Sequence, residues 1–328
     1  MSKLQFYVDL QEDSASGALQ RTSEYADMVE SYYSFATGFY EATWGDSFHF
    51  APRRKGEPFP DAVVRSQHWL AAKLLLGPGM KALDLGCGIG GPMRTIARFT
   101  DAAIEGVTIS RRQLIRGQRL NRKADLAWQC HIAQGDYMNL PYVDNSFDAA
   151  YEINALVHSP DMAAAFAQIF RVLKPGTHFG GYSWGLSRQF DGGNPHHRQL
   201  KRDIERGCSI LQLIPTDAID KSLEQAGFEI VETHDYTTIG DPEHPWYHPL
   251  IGKGRGLRGM GLSPVGRYAV RRALAGGEKL HLWSHAPAEL TDLILRACDA
   301  LHESGKLGIL SSHYFYLARK PDHSESQP

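Results

Sequence analysis

From residue 61 onward the apolar positions change period in a regular way. Val64, His68, Ala71 and Leu75 recur at helical spacing and Asp61 stands where a cap would, predicting a helix over 61–76 that Gly77-Pro-Gly79 stops. Short apolar runs then predict strands over 81–85, 103–109, 128–133, 147–153 and 177–184, separated by helical patterns over 91–99, 111–123 and 161–173. Strand and helix in alternation predict a parallel sheet with crossover helices, an α/β doubly wound layer. A helix over 216–226, a strand over 228–235 and a last strand over 312–319 complete the pattern. Before that last strand, residues 240–311 carry Pro-Trp-Tyr-His-Pro249, a glycine-rich turn region and two apolar helical stretches, enough for a lid. The chain divides into an N-terminal arm with aromatic cap helices (1–76), an α/β core (77–239), the helical insertion (240–311), the last strand (312–320) and a polar, disordered tail (321–328).

The pattern ahead of the core is of another kind. Residues 1–24 are polar with scattered apolar anchors, an arm or short helix, and residues 51–60 read as a linker rich in proline and basic residues. Between them, Tyr32 to Phe50 is dense in aromatic residues, with Phe35, Phe39 and Tyr40 at helical spacing and a turn at Gly45-Asp46. Two readings stand: an aromatic core helix, or the wall of a pocket for a large apolar ligand or a cation met by π faces.

The first predicted strand runs into Asp84-Leu-Gly86-Cys87-Gly88-Ile-Gly-Gly91-Pro92, a glycine turn opening a helix. Such a turn lets backbone approach a ligand and offers the unpaired N–H groups of a helix start. A dinucleotide site wants an acid at the end of the second strand, about 20 residues on. That end carries Thr108 and Ile109 instead, with Glu105 in mid-strand. Gln134-Gly135-Asp136-Tyr137 follows the third strand, then Phe147-Asp148 and Leu173-Lys-Pro-Gly176.

Net charge −2 argues against nucleic acid as the main partner, and the basic run from Arg111 to Lys123 goes round a helix as a solvated surface would. Cys87, Cys130, Cys208 and Cys298 form no CxxC pair, so neither a zinc site nor a disulfide framework is expected, in keeping with a reducing cytoplasm. No apolar run approaches the ~18 residues of a membrane span, and the acidic N-terminus lacks the charge order of a signal peptide.

The series Asp84-x-Gly-x-Gly-x-x-Gly91, Gly135-Asp136, Phe147-Asp148 and Leu173-Lys-Pro-Gly176 resembles class I S-adenosylmethionine-dependent methyltransferases. The block Tyr32-Tyr33, Phe39-Tyr-Glu41, Trp44-Gly-x-Ser-Phe-His-Phe50 narrows it, with Cys-Gly-x-Gly-Gly-Pro92, His158-x-Pro160, Asn194-Pro195 and Pro245-Trp-Tyr247. Together they resemble the sterol 24-C-methyltransferases over residues 25–321. The resemblance implies a Rossmann-like seven-stranded sheet with a final antiparallel strand and S-adenosyl-L-methionine as methyl donor, without a metal. It also implies a sterol side-chain alkene as acceptor, a homo-oligomer, and a cytoplasmic location with peripheral membrane contact.

On that resemblance Gly86, Cys87, Gly88 and Gly91 flank the methionine part of the donor, and Asp84 orients its ammonium group. Asp136 receives the adenine amino group or caps a turn, between Gly135 and Tyr137. Thr108 and Ile109 face the ribose, while Gln113 either assists or is an exposed helix residue. Tyr33, Phe39, Tyr40, Trp44, Tyr182 and Trp184 are expected as aromatic walls for a carbocation, and His49 and His158 as bases or as structural hydrogen-bonded histidines. Glu41 and Glu205 keep the family's acids. Three others are missing: Asn154, Ser183 and Cys208 replace carboxylates expected beside the reaction region, with Asn154 still expected near the donor. The loss keeps another isoprenoid open as acceptor, squalene or a prenyl diphosphate. A catalytically silent lipid-binding relative and a small-molecule O- or N-methyltransferase are the remaining readings.

Overall fold

The computed structural model describes residues 2–11, 15–251, 272 and 286–322. Helices α1 (Lys3–Leu10), α2 (Ala15–Ser23) and the long α3 (Tyr25–Trp44) precede α4 (Phe59–Lys73). The core then alternates β1 (Lys81–Leu85), α5 (Gly91–Thr100), β2 (Ala103–Thr108), α6 (Arg111–Lys123), β3 (Cys130–Gln134), β4 (Phe147–Ile153), α7 (Met162–Val172) and β5 (Leu173–Leu186). Helices α8 (Pro195–Gly207) and α9 (Thr216–Gln225), strand β6 (Glu229–Asp235), helix α10 (Ala286–Leu307) and strand β7 (Leu310–Arg319) follow. The seven strands lie in the order β3-β2-β1-β4-β5-β7-β6, with β7 antiparallel to both neighbours and β1 to β5 parallel. This is the α/β sheet that the alternating pattern and the resemblance led one to expect.

The helix before β1 differs in register from its prediction. It starts at Phe59 behind Pro58, so Asp61 sits in its first turn, and it buries Val63, Gln67 and Leu70 while Val64 and Leu75 are exposed. The polar Gln67 on the buried face hid the true stripe. Strand β5 begins four residues early at Leu173 and bulges between Ser183 and Gly185, and β3 starts after the exposed Trp128. Helix α8 occupies a stretch for which the pattern predicts nothing: it is strongly polar, with Leu200, Ile204 and Gly207 as its buried residues. Of the insertion, residues 252–271 and 273–285, which carry one of its predicted helices, lie outside the described residues, as does most of the tail (323–328).

Helices α1, α3, α8 and α10 share one apolar cluster around Tyr7, Tyr32, Ile204 and Leu290, separate from the two clusters on the faces of the sheet. The basic run of α6 is mostly exposed, as a solvated surface would be, but two of its residues are used. Arg116 pairs with Glu41 of α3, and the Arg112 guanidinium donates to the Ser34 carbonyl, fastening the aromatic helix to the core. Glu41 is thereby a structural acid. All four cysteines are free and buried. Among the described residues, no helix is long and apolar enough to cross a membrane.

Candidate active site

Two cavities meet at the C-terminal ends of the central strands. The first, about 790 Å³ of open space, is floored by the β1–α5 turn, and its wall includes Cys87, Val107, Ile109 and Tyr137. The turn works through glycine geometry. Gly86 (φ 68°) and Gly88 (φ 56°) are left-handed, and a Cβ on Gly86 would lie 2.3 Å from the Ala155 Cβ. Gly91 serves something else: its Cβ would fall 1.9 Å from the Asp46 carbonyl oxygen, so it admits the end of the aromatic segment, not a ligand. Arg94, buried in α5, then holds Asp46 by a 2.8 Å ion pair.

Around this turn stand donors and acceptors of the right kind for a nucleoside. Thr108 donates to the Gln113 amide oxygen at 2.7 Å, and both are buried in the cavity wall, so Gln113 is not the exposed helix residue of one reading. Gly135 and Asp136 line the far end. One Asp136 oxygen accepts from the Met138 N–H at 2.8 Å, so Asp136 caps a turn and faces the cavity at once. Tyr25, at the start of α3, closes over it; burial and then the Asp136 carboxylate raise the Tyr25 hydroxyl. Asp84 lies behind the turn and does not line the cavity. Its carboxylate accepts from Tyr151 at 3.1 Å, and burial pushes it up to about 7. Glu152, not anticipated, is fully buried and accepts from the Ala155 N–H (2.7 Å) and the Tyr316 hydroxyl (2.8 Å), fixing the chain that packs on Gly86. Its acid character in mid-strand was the available signal.

The second cavity, about 690 Å³, is lined by Tyr40, Trp44, Phe50 and Trp184 on one side and by Cys208 and apolar residues of α10 on the other. No Asp, Glu, Lys or Arg is in its described wall. Tyr33, Phe48, His49, Asn154 and His158 line both cavities and form the junction. Phe39 backs Tyr40 and Trp44 from behind, at ring separations of 5.9 and 6.3 Å. Asn154 is left-handed (φ 56°), and neither its amide oxygen nor its amide nitrogen has a hydrogen-bond partner. Buried amides rarely stay unpaired, and both atoms of this one lie at the junction of the two cavities. Both histidines are buried and held below their ordinary value by burial, His49 to about 4.

Besides Asp84 and Gly91, three more expected residues lie elsewhere. Tyr182 donates to the Ser66 carbonyl (3.1 Å) and stacks on His313, on the far side of β5. Glu205 pairs with Lys201 and accepts from the Leu213 N–H at 2.7 Å, outside both cavities. Ser183 is buried without facing either space, so two of the three missing carboxylates, at Asn154 and Cys208, border the second cavity. Residue type alone could not separate wall from packing, because the bulge in β5 reverses which side chains face the site. The α10 contribution (Ile294, Ala297, Cys298, Leu301) was missed because apolar helical spacing reads the same against a core or a ligand.

A glycine turn with left-handed backbone, a Thr–Gln pair and a Gly-Asp corner fit an adenosine-bearing donor. Comparisons with known proteins agree. The family profile "Methyltransferase domain" matches residues 83–180, and "Sterol methyltransferase C-terminal" matches 257–322. Solved structures of similar fold include the cyclopropane synthase MmaA2 of Mycobacterium tuberculosis (TM-score 0.68, 17% identity, 89% of this chain and 97% of that one). The geranyl diphosphate C-methyltransferase of Streptomyces coelicolor, solved with S-adenosyl-L-homocysteine, is another (TM-score 0.64, 14% identity, 90% and 98%). Fold and site define an S-adenosylmethionine-dependent methyltransferase, and the sterol C-24 relatives make it a C-methyltransferase. Cycloartenol-C-24-methyltransferase of Arabidopsis thaliana is 39% identical over 303 residues, 92% of this chain and 90% of the relative. Sterol 24-C-methyltransferase of Yarrowia lipolytica is 37% identical over 309 residues, 92% and 81%. The chain belongs to the sterol 24-C-methyltransferase family.

Proposed function

We propose that this protein methylates the side-chain alkene of a sterol. One observation carries the reading: an aromatic and aliphatic cavity, without a charged side chain in its described wall, opens onto the donor cavity through five shared residues. When bound, S-adenosylmethionine supplies an electrophilic methyl group. The backbone of Gly86 and Gly88, the Thr108–Gln113 pair and the Gly135-Asp136 corner are the groups that would hold it, with Asp84 and Glu152 fixing the turn from behind. Asn154 turns an amide dipole toward the junction, where positive charge is present before and after transfer.

Once the alkene has taken the methyl group, its carbon skeleton carries the charge. Tyr33, Tyr40 and Trp44 present π faces to such a cation, each worth about 0.5–2 kcal/mol when desolvated. Phe48 and Phe50 help keep water from it. The neutral wall also weighs against a prenyl diphosphate, whose charge needs cationic partners.

The test incubates the protein with methyl-labelled S-adenosylmethionine and a panel of cycloartenol, desmosterol, squalene and farnesyl diphosphate, with mass spectrometry to place the methyl group. Label in a sterol side chain is expected. Labelling of squalene or farnesyl diphosphate alone would replace the sterol by another isoprenoid, and no labelling together with bound donor would mean a silent lipid-binding relative.

A further inference from the structure

The two histidines at the junction are committed differently. His49 donates from Nδ1 to the Phe50 carbonyl (2.7 Å), and its Nε2 faces the Gln67 amide nitrogen at 2.8 Å. An amide N–H cannot hand on a proton at neutral pH, so both His49 nitrogens are occupied by groups that end the line. His158 donates from Nδ1 to the Ser209 carbonyl (2.9 Å), which leaves Nε2 as an acceptor. Its partner is the Tyr33 hydroxyl, 2.9 Å away, and the rings meet edge to face at 81°. A hydroxyl donates through its hydrogen and still accepts on its oxygen. Both residues line both cavities.

We propose that Tyr33 and His158 together are the proton acceptor of the reaction, resting on the reading of methyl transfer to an alkene. The methylated cation loses a proton from a carbon next to the cationic centre, and the C–H electron pair becomes the new double bond. That proton arrives on the Tyr33 oxygen as the Tyr33 O–H proton passes to His158 Nε2. Tyr33 ends neutral, and the positive charge ends on an imidazolium whose Nδ1–H still points at Ser209. A carbocation is a far stronger acid than an imidazolium, so a weak base suffices. Burial, which holds His158 below its ordinary value, favours release of the proton after turnover.

His49 takes no part beyond shaping the wall. Its hydrogen bonds assign it to positioning the Ser47–Phe50 segment through Gln67, which also donates to the Ser47 hydroxyl at 3.1 Å.

The experiment compares Tyr33→Phe, His158→Gln and the unaltered full-length protein with S-adenosylmethionine and the panel sterol that it methylates. Both variants should still transfer methyl groups, while the ratio of methylated alkene to water-captured methylated alcohol falls about a hundredfold, the low end of what a positioned base contributes. 15N NMR of the unaltered protein should show His158 as the Nδ1–H tautomer, with a shifted Nε2 resonance in Tyr33→Phe. Variants that merely turn over more slowly, with an unchanged product ratio, would overturn the assignment, as would an Nε2–H tautomer. If the unaltered protein methylates no alkene, the methyl-transfer reading itself has failed; an unchanged product ratio or an Nε2–H tautomer in a protein that does methylate one overturns this assignment alone.

Discussion

Replacing Gly91 by alanine would put a methyl carbon 1.9 Å from the Asp46 carbonyl oxygen and 2.7 Å from the Ser47 hydroxyl. The blocking atom is backbone, so the segment after α3 must retreat by about 1 Å or α5 must move, an overpacking strain of roughly 1–3 kcal/mol. The Asp46–Arg94 ion pair is stretched by the same motion; Asp46 is 57% exposed, so this adds at most about 1 kcal/mol. For a chain of this size, about 2–4 °C of Tm accompanies each kcal/mol, and Tm is expected to fall by roughly 2–16 °C. Asp46 and Phe48 line the donor cavity, so their displacement should weaken S-adenosylhomocysteine binding about tenfold, the equivalent of ~1.4 kcal/mol. Scanning fluorimetry and titration calorimetry read the two effects. Gly77→Ala is the control, because its Cβ would meet nothing within 4 Å. A Gly91→Ala protein with unchanged Tm and Kd would refute the role assigned to this glycine.

Other outcomes follow from the same geometry. Burial raises Asp84 and Glu152 to about 7 from ordinary values of 3.8 and 4.5, so the folded chain binds more protons than the unfolded one between those limits. Stability should therefore fall as pH rises from about 4.5 through 7, by on the order of 3 kcal/mol for each group, and Glu152→Gln should flatten the profile of urea midpoint against pH; a slope unchanged by that substitution would contradict it. Trp44→Ala should lower kcat/KM for the sterol at least tenfold with donor Kd unchanged, since Trp44 borders only the second cavity; a parallel loss of donor binding would make it a packing residue. Asn154→Asp, which tolerates the left-handed backbone, should tighten binding of a sterol with a side-chain ammonium about tenfold; weaker binding would place the cation elsewhere.

Much of this site was legible because short-range chemistry dictated it. The β1–α5 turn needs glycine at positions of positive φ, and a Gly-Asp corner after β3 offers a carboxylate where a base edge would sit. What the sequence concealed depends on long-range placement. Tyr182 and Trp184 are equivalent by alternation, and the bulge between Ser183 and Gly185 sends one to the back of the sheet. Glu41 and Glu205 look alike as acids near the site until Arg116 and Lys201 claim them. Gly91 belonged to the fingerprint by spacing, yet its partner is a carbonyl 45 residues earlier in the chain. Tyr25 and Val29 fall one helical turn apart and lead on to Tyr33, a stripe visible in the sequence once α3 is extended back to residue 25.

Helix α3 carries a consequence for binding. Its first turn closes over Asp136 at the donor's far end, its middle supplies Tyr33 at the junction, and its last turn supplies Trp44 to the acceptor's wall. One continuous helix therefore borders both cavities, so ligands seated in the two would be linked through it. Binding free energies so linked are reciprocal: a donor that draws the helix down tightens the sterol by the factor by which the sterol tightens the donor.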